Sequence, residues 1–436
     1  MNAARAELEA IFRDALRAVD PGEALARELV LARGRVRLGS EELTPGSTRV
    51  IAAGKAAPAM AQAFERVAAS AELRGLVVAR DTPAAWSSRL ELRVAGHPVP
   101  DERSAAAGRA ALAVAAAAAP DETLLVLLSG GASALLSTPL PGLSPADLRI
   151  TTALLLRSGA EIAELNCVRK HLTAVSGGRL LAATRARRVV VLVVSDVLGD
   201  DLSTIGSGPC AADLSTYADA LQVLERRALL AEVPAAVREH LLEGAAGRRP
   251  ECVRPDDPRL ASVSHQLLAT NRDALAAAAA SARSRGLEVR IVSEQLRGEA
   301  RELGARLAAL ARATRPRSRA LLLLAGGEPT VTVRGAGRGG RAQELALAAA
   351  LVLAGDASLC LLAAGTDGSD GPTDAAGAFA DGGTQARAAA LGLDPRASLA
   401  ANDAHGFFVR EGGCFRTGPT GTNVMDLVLV RVEPAP

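Results

Sequence analysis

Residues 189–209 read VVVLVVSDVLGDDLSTIGSGP, and the change of character at position 195 decides the fold. The run from Val189 to Val194 is continuously apolar and too β-branched for a good helix, so it predicts a buried parallel strand. Ser195, Asp196, Gly199, Asp200, Asp201, Ser203, Thr204, Gly206, Ser207 and Gly208 follow at once. Carboxylates suit a hard cation such as Mg²⁺, and freely turning glycine backbone offers its N–H groups to phosphate oxygens. Together at a strand end, where α/β folds keep their ligands, they point to phosphoryl chemistry over the plainer alternative of a solvated acidic loop.

Composition narrows the choices. A chain of 436 residues, 49% hydrophobic and 22% charged, can bury a sizeable core and form two domains. A formal net charge of +2 and 2% aromatic residues give no reason to expect nucleic acid. No uninterrupted apolar stretch is long enough for a membrane helix and the first residues lack a signal-peptide pattern, so a cytoplasmic location is expected, as monomer or homodimer. Cys167, Cys210, Cys252, Cys360 and Cys414 are widely spaced with no CxxC pair, which argues against a disulfide framework or a thiolate zinc site. Of the 50 basic residues only Lys55 and Lys170 are lysine. In a chain that uses arginine elsewhere, each marks a place where a compact ammonium differs from a planar guanidinium.

Outward from the central stretch the same grammar repeats. A helix with Leu8, Ile11, Phe12, Leu16 and Val19 at helical spacing precedes a second, expected through about Leu31. The strand Arg49 to Ala53 then runs into Gly54-Lys55-Ala56-Ala57-Pro58. This is no P-loop, since Arg49 and Ala56 stand at its first glycine and hydroxyl positions, but it is a strand-to-helix turn with a lysine, suited to an anion. Gly75 to Ala79 and Leu90 to Ala95 read as strands, the latter followed by His97 in a loop stiffened by Pro98 and Pro100. The strand Thr123 to Leu128 ends in Ser129-Gly130-Gly131-Ala132-Ser133, a second anion cradle. Helices are predicted over 144–157 and 160–175, the latter placing Asn166 and Lys170 on one face beside Arg169.

Residues 243–258 (EGAAGRRPECVRPDDP) read as a surface connection. The expected division is an N-terminal Rossmann-like α/β domain over 1–242, a linker over 243–262 and a C-terminal α/β domain over 263–436. The fold class is α/β, with largely parallel sheets covered by helices. In the last third the strand Leu321 to Leu324 precedes Gly326-Gly327-Glu328 and a hairpin strand at 331–333. Gly335, Gly337 and Gly340 match GxGxxG, but Arg334, Arg338 and Arg341 crowd the loop, which suits phosphate or carboxylate recognition at least as well as a dinucleotide. The strand Leu359 to Ala364 ends in Gly365-Thr366-Asp367-Gly368-Ser369-Asp370, and residues 417–423 (TGPTGTN) precede a closing strand at 425–430.

These motifs resemble the class II glycerate kinases, whose C-terminal half is called the MOFRL domain. The resemblance lies in AAGKAAPAM, GHPVPDERS, LLSGGASALL, LNCVRKHLTAVSGGRL, VVSDVLGDDLSTIGSGP, AGGEPTVTV, GRGGRAQELAL, AAGTDGSDGPTDAAGA and TGPTGTNVMDL. It implies ATP-dependent phosphorylation of D-glycerate, usually at the 2-hydroxyl, with Mg²⁺, on two α/β domains with the active site in the interdomain cleft. It also implies that Lys55 and Arg341 face that cleft. Ala342 stands where the family commonly has asparagine, while Arg341, Gln343 and Glu344 are intact. On the chemistry of the residues, Asp196 and Asp200 are expected to organise the metal, with Asp196 catalytic. Ser129, Gly130, Gly131, Ser133, Ser207 and Gly208 would cradle phosphates, and Lys55, Lys170 and Arg341 would hold glycerate and developing charge. Asn166, Glu328, Thr366 and Asp367 complete the expected binding residues. A NAD(P)H-dependent hydroxypyruvate reductase, supported only by the GxGxxG match, and a non-enzymatic sugar-acid sensor are the alternatives.

Overall fold

The apolar run at 189–194 forms the strand Arg188–Val194, buried from Val189 onward, in a computed structural model. It describes residues 3–434 except 33–34, 39–40, 43–46, 69–71, 84–85, 98, 315 and 317; Pro98 of the expected stiff loop thus lies outside the described residues. The strand belongs to a six-stranded sheet in the order Glu91–Val94, Glu72–Ala79, Ser47–Ala53, Thr123–Leu128, Arg188–Val194, Val263–Ala269. The first five strands are parallel. Their ends are in register, with Ala53 opposite Val78 and Leu128, and Leu128 opposite Val193. Every loop that leaves a carboxyl end therefore emerges at one edge of the sheet. Alanine-rich helix Glu102–Ala116 buries Ala107, Ala111 and Ala115 against Ile51, Val126 and Val191.

The second sheet runs Glu288–Leu296, Leu321–Gly327, Asp426–Val432, Leu359–Gly365, Gly377–Asp381, Cys414–Phe415. The two-domain α/β class holds, but this sheet is mixed. Only its first pair is parallel, and Asp426–Val432 lies antiparallel to both neighbours. The closing strand starts where its neighbours end, with Asp426 opposite both Gly327 and Gly365, so one edge collects two carboxyl ends and one amino end.

The chain divides into two compact units, Pro21–Leu268 and Met1–Asp20 with Ala269–Pro436. This differs from the expected 1–242 and 263–436 at two places. Helix Ala3–Ala18 buries Leu8, Ile11 and Phe12 in the second unit, where Phe12 meets Phe415 edge-on at 5.5 Å. Strand Val263–Ala269 belongs to the first sheet, which moves the boundary past the expected linker.

Other expectations shift locally. The second helix stops at Glu28, and Leu29–Ala32 pairs antiparallel with Arg35–Leu38. The helix expected over 160–175 is Ile162–Lys170, because Thr173 turns its hydroxyl back to the Arg169 carbonyl and bridges to Pro139. Residues 331–333 form no strand; there is only an isolated bridge between Thr330 and Glu299.

Candidate active site

In the first unit the loop after Ser47–Ala53 is zipped to the loop after Thr123–Leu128. The Lys55 N–H donates to the Gly130 carbonyl at 2.9 Å, the Ala56 N–H to Ser129 Oγ at 2.9 Å, and the Ser129 N–H to the Ala53 carbonyl at 3.1 Å. Gly54 permits this approach. It has φ +128°, and a Cβ there would lie 2.2 Å from Ser129 Oγ. Gly131, at φ +90°, brings a third loop in, since a Cβ on it would lie 2.9 Å from His97 Nε2 and 3.8 Å from Lys55 Cγ. Burial, and then the charges of Lys55 and Arg80, push His97 down to about 4. It is therefore a neutral imidazole in a basic corner.

A hydroxyl chain continues from there. Ser133 Oγ meets Ser207 Oγ at 2.7 Å, and Ser207 donates to Asn166 Oδ1 at 3.3 Å. Gly206, Ser207 and Gly208 all have left-handed φ near +59°, and the Ser207 and Gly208 carbonyls accept from the Gly177 and Gly178 N–H groups at 2.9 and 2.7 Å. The structure thus brings together Lys55, Gly130, Gly131, Ser133, Asn166, Ser207 and Gly208. Ser129 is fully buried with its hydroxyl used on Ala56, so it positions the loop and does not face a ligand.

Lys170 also departs from expectation. Its Nζ pairs with Asp213 Oδ1 at 3.1 Å, both groups buried. Asp213 lies with His171 and Cys252 in the one group of three potential metal ligands found among the described residues. Its cation positions are already filled by the protein, for Lys170 holds Asp213 and Arg179 donates to Cys252 Sγ at 3.0 Å. Burial opposes charge on His171, but its contacts with the Cys167 carbonyl, Cys252 and Glu251 outweigh that and raise its pKa. Together they form a buried ionic knot that anchors the end of helix Ile162–Lys170.

Asp196 and Asp200 lie on the loop after Arg188–Val194. Asp200 has φ +57°, and its Oδ1 is buried without a hydrogen-bond partner. A buried carboxylate oxygen without a partner, on a loop that also carries Asp196, fits a hard cation by its chemistry. Asp201 instead folds the loop, accepting from the Ser203 N–H and the Ser203 and Thr204 hydroxyls.

In the second unit, register alone places Glu328, Thr366, Asp367 and Asp426 at one sheet edge. Arg341 opens helix Arg341–Leu353, ion-paired to Glu328 and 3.2 Å from both Asp426 oxygens. The Asp426 Oδ2 contact is an ion pair without hydrogen-bond alignment. Burial opposes the charge of Arg341, but Asp426 and Glu328 hold it well above the ordinary arginine range. Burial pushes Asp426 up to about 7 against the pull of Arg341, which makes it a carboxyl able to exchange a proton near neutrality. Sequence reasoning missed Asp426, although it stands in the quoted TGPTGTNVMDL. Its signal was a carboxylate at the start of an otherwise apolar strand. Thr366 is fully buried, donating to the Met425 carbonyl at 2.6 Å and accepting from the Val424 N–H at 2.8 Å; it positions Asp426 and has no hydroxyl to spare.

The GxGxxG match loses its chemical meaning. The Arg334 and Gly335 N–H groups donate to Asn402 Oδ1, Gly337 N–H to the Ala401 carbonyl and Arg338 N–H to Asp403 Oδ1. Those groups pin the loop to residues 401–403 and are not offered to a pyrophosphate. A pocket of about 870 Å³ lies elsewhere in this unit, lined by Arg5, Cys360, Phe379, Asp381, Arg387 and Arg431 among others. It contains none of the expected site residues, and its arginines are paired within the chain, Arg5 with Asp381, Arg387 with Glu411 and Arg431 with Glu7.

Fold and site define a two-unit α/β protein whose strand edges gather cations, carboxylates and open backbone. A family described as a domain of unknown function, DUF4147, matches residues 7–242, and the MOFRL family matches residues 321–426. The chain is 37% identical over 96% of its length to the glycerate 2-kinase of Pyrococcus horikoshii, covering 95% of that protein. It is 38% identical over 97% of its length to an Agrobacterium vitis protein that bears a hydroxypyruvate reductase name, covering 93% of it. The crystal structure of glycerate kinase from Thermotoga maritima superimposes with a TM-score of 0.84 at 36% identity, over 99% of this chain and 100% of that one. The chain belongs to the glycerate kinase family.

Proposed function

We propose that the protein transfers the γ-phosphoryl group of ATP to the 2-hydroxyl of D-glycerate, giving 2-phospho-D-glycerate and ADP. The observation that carries this is the corner where Lys55, Gly131 and neutral His97 meet at a parallel-sheet edge, in a chain of the glycerate kinase family. Glycine-rich loops at this edge offer backbone N–H groups to phosphate oxygens, and Lys55 supplies full charge. The Ser133–Ser207–Asn166 chain orients donors beside it. Asp196 and Asp200 would hold Mg²⁺, which when bound neutralises charge on the phosphates. In the second unit Arg341 is fixed between Glu328 and Asp426, a held guanidinium whose chemistry suits a carboxylate or phosphate oxygen. Bond making joins glycerate O2 to Pγ, bond breaking frees the β,γ-bridging oxygen with ADP, and the hydroxyl proton passes to solvent. Five cysteines without a disulfide fit a reducing cytoplasm.

The test is to mix protein, D-glycerate, ATP and Mg²⁺ and follow the product by ³¹P and ¹H NMR. Formation of 2-phosphoglycerate that stops with chelator is the expected result. NADH consumption with hydroxypyruvate, in the absence of phosphorylation, would overturn the assignment.

A further inference from the structure

Helix Ile162–Lys170 and its cap end in three successive basic residues, Arg169, Lys170 and His171. Two are committed: Lys170 to Asp213 at 3.1 Å, and His171 between the Cys167 carbonyl at 2.8 Å and Glu251 at 3.1 Å. The third is not. Arg169 is half-buried, and among the described residues its guanidinium donates no hydrogen bond and pairs with no carboxylate. Several partly buried guanidiniums of the fold do have carboxylate partners, as in Arg49–Glu122, Arg227–Glu164 and Arg301–Glu344. An unpaired one loses hydration without recompense. Burial alone brings Arg169 down to about 10, the direction expected of a cation lacking a counter-charge.

Its position explains what it lacks a partner for. Asn166 lies three residues earlier on the same helix face and is joined through Ser207 to Ser133. Ser133 lies two residues after Gly131, against which the His97 ring packs beside Lys55, and the charge of Arg169 is itself felt at His97. At His97 the charges of Lys55, Arg80 and Arg169 outweigh that of Asp81, a field that favours an anionic ligand.

We propose that Arg169 holds an anionic oxygen group of the bound ligand, planar fork to paired oxygens, at the corner formed by Lys55, Gly131 and His97. The proposal rests on the kinase reading of that corner. A guanidinium suits a carboxylate or a phosphate equally, so the group belongs either to glycerate or to the nucleotide.

Arg169→Gln and Arg169→Lys, made in the full chain, separate these. With D-glycerate and ATP varied in turn, Arg169→Gln raises KM for one substrate at least about tenfold, and Arg169→Lys recovers part of the loss. A rise for glycerate names its carboxylate, and a rise for ATP names a phosphate. Calorimetric titration with D-glycerate and with ADP shows the same substrate's Kd weakened by the same factor. The ligand-free melting temperature stays level or rises, since an unpaired cation has been removed. Unchanged KM and Kd for both ligands overturns the proposal, as does a lowered melting temperature with both affinities intact, which marks a purely structural role. Should wild type bind ADP and glycerate without phosphoryl transfer, the kinase reading fails while the titrations still decide the role of Arg169.

Discussion

The two lysines have separate fates. Lys170 is one half of a buried ion pair, whereas Lys55 sits half-buried on a loop held by Gly130 and Ser129, beside Gly131 and His97. A planar, delocalised guanidinium does not reproduce the compact point charge of an ammonium. We expect Lys55→Arg to lose about a hundredfold in kcat/KM, roughly 3 kcal/mol of transition-state stabilisation, with circular dichroism and melting temperature unchanged. Arg185→Lys, at an exposed position, serves as the neutral control; full activity in Lys55→Arg would show that charge alone suffices. Asp426 gives a pH prediction. Because its folded pKa of about 7 exceeds the ordinary value of 3.8, the folded chain keeps a proton that the unfolded chain has released. The stability tied to that proton is complete below the unfolded pKa and is lost as pH rises through about 7. His97, lowered to about 4 from 6.5, acts oppositely and costs stability as pH falls through that interval. In calorimetric scans, Asp426→Asn should gain melting temperature relative to wild type as pH is raised from 5 to 8, and parallel curves would remove the proton from Asp426. Asp200, with its orphaned Oδ1, predicts that Asp200→Asn raises the Mg²⁺ concentration needed for half-maximal turnover severalfold; an unaltered magnesium dependence would take Asp200 out of that role.

Among the elements, helix Arg341–Leu353 depends on one distant carboxylate. Asp370 accepts from the Ala342 N–H at 3.0 Å, the Gln343 N–H at 2.8 Å and Gln343 Nε2 at 2.9 Å, capping a helix whose own N-cap, Gly340, has no side chain. Its closeness also explains that glycine, since a Cβ at 340 would lie 2.3 Å from Asp370 Oδ1. Replacing Asp370 by alanine strands buried donors and should cost roughly 2–4 kcal/mol in denaturant titration, while loosening Arg341 at the helix start. A loss under about 0.5 kcal/mol, the surface norm, would contradict the cap. Elements of this kind mark the limit of sequence reading. Parallel strands such as Thr123–Leu128 were legible because burial on both faces demands an unbroken apolar run. Strand Gly377–Asp381, reading GAFAD, is short and made largely of small residues, so neither period nor length betrays it. Val331 and Val333 have strand-like chemistry, but the segment forms no strand and Val333 is exposed. For the site, loop residues that follow apolar strands could be read directly. Which hydroxyls the fold consumes, Ser129 and Thr366, and that a half-buried guanidinium such as Arg169 stays unpaired, depends on groups distant in sequence, and no local pattern records that.

For the molecule as a whole, the unit formed by residues 269–436 is incomplete without the chain's first helix. Leu8, Ile11 and Phe12 are wholly buried there, and Arg5 and Glu7 pair with Asp381 and Arg431, each at 2.6 Å. Burying three such side chains is worth on the order of 5–8 kcal/mol, comparable with the stability of an entire domain. We expect a fragment of residues 269–436 to show no cooperative thermal transition, and fusion of residues 1–20 ahead of position 269 to restore one. A sharp melt of the fragment alone would refute this.

That arrangement has a consequence for how the protein is made. The first helix leaves the ribosome before anything it packs against exists. At about 5–20 residues per second, the roughly 250 residues of the intervening unit keep it waiting on the order of tens of seconds. Throughout that interval Leu8, Ile11 and Phe12 have no native partner, while the unit from Pro21 to Leu268, one unbroken length of chain, is free to finish first. Folding therefore runs from the inside outward, and helix Ala3–Ala18 keeps its apolar face uncovered until residues 269–436 have been made.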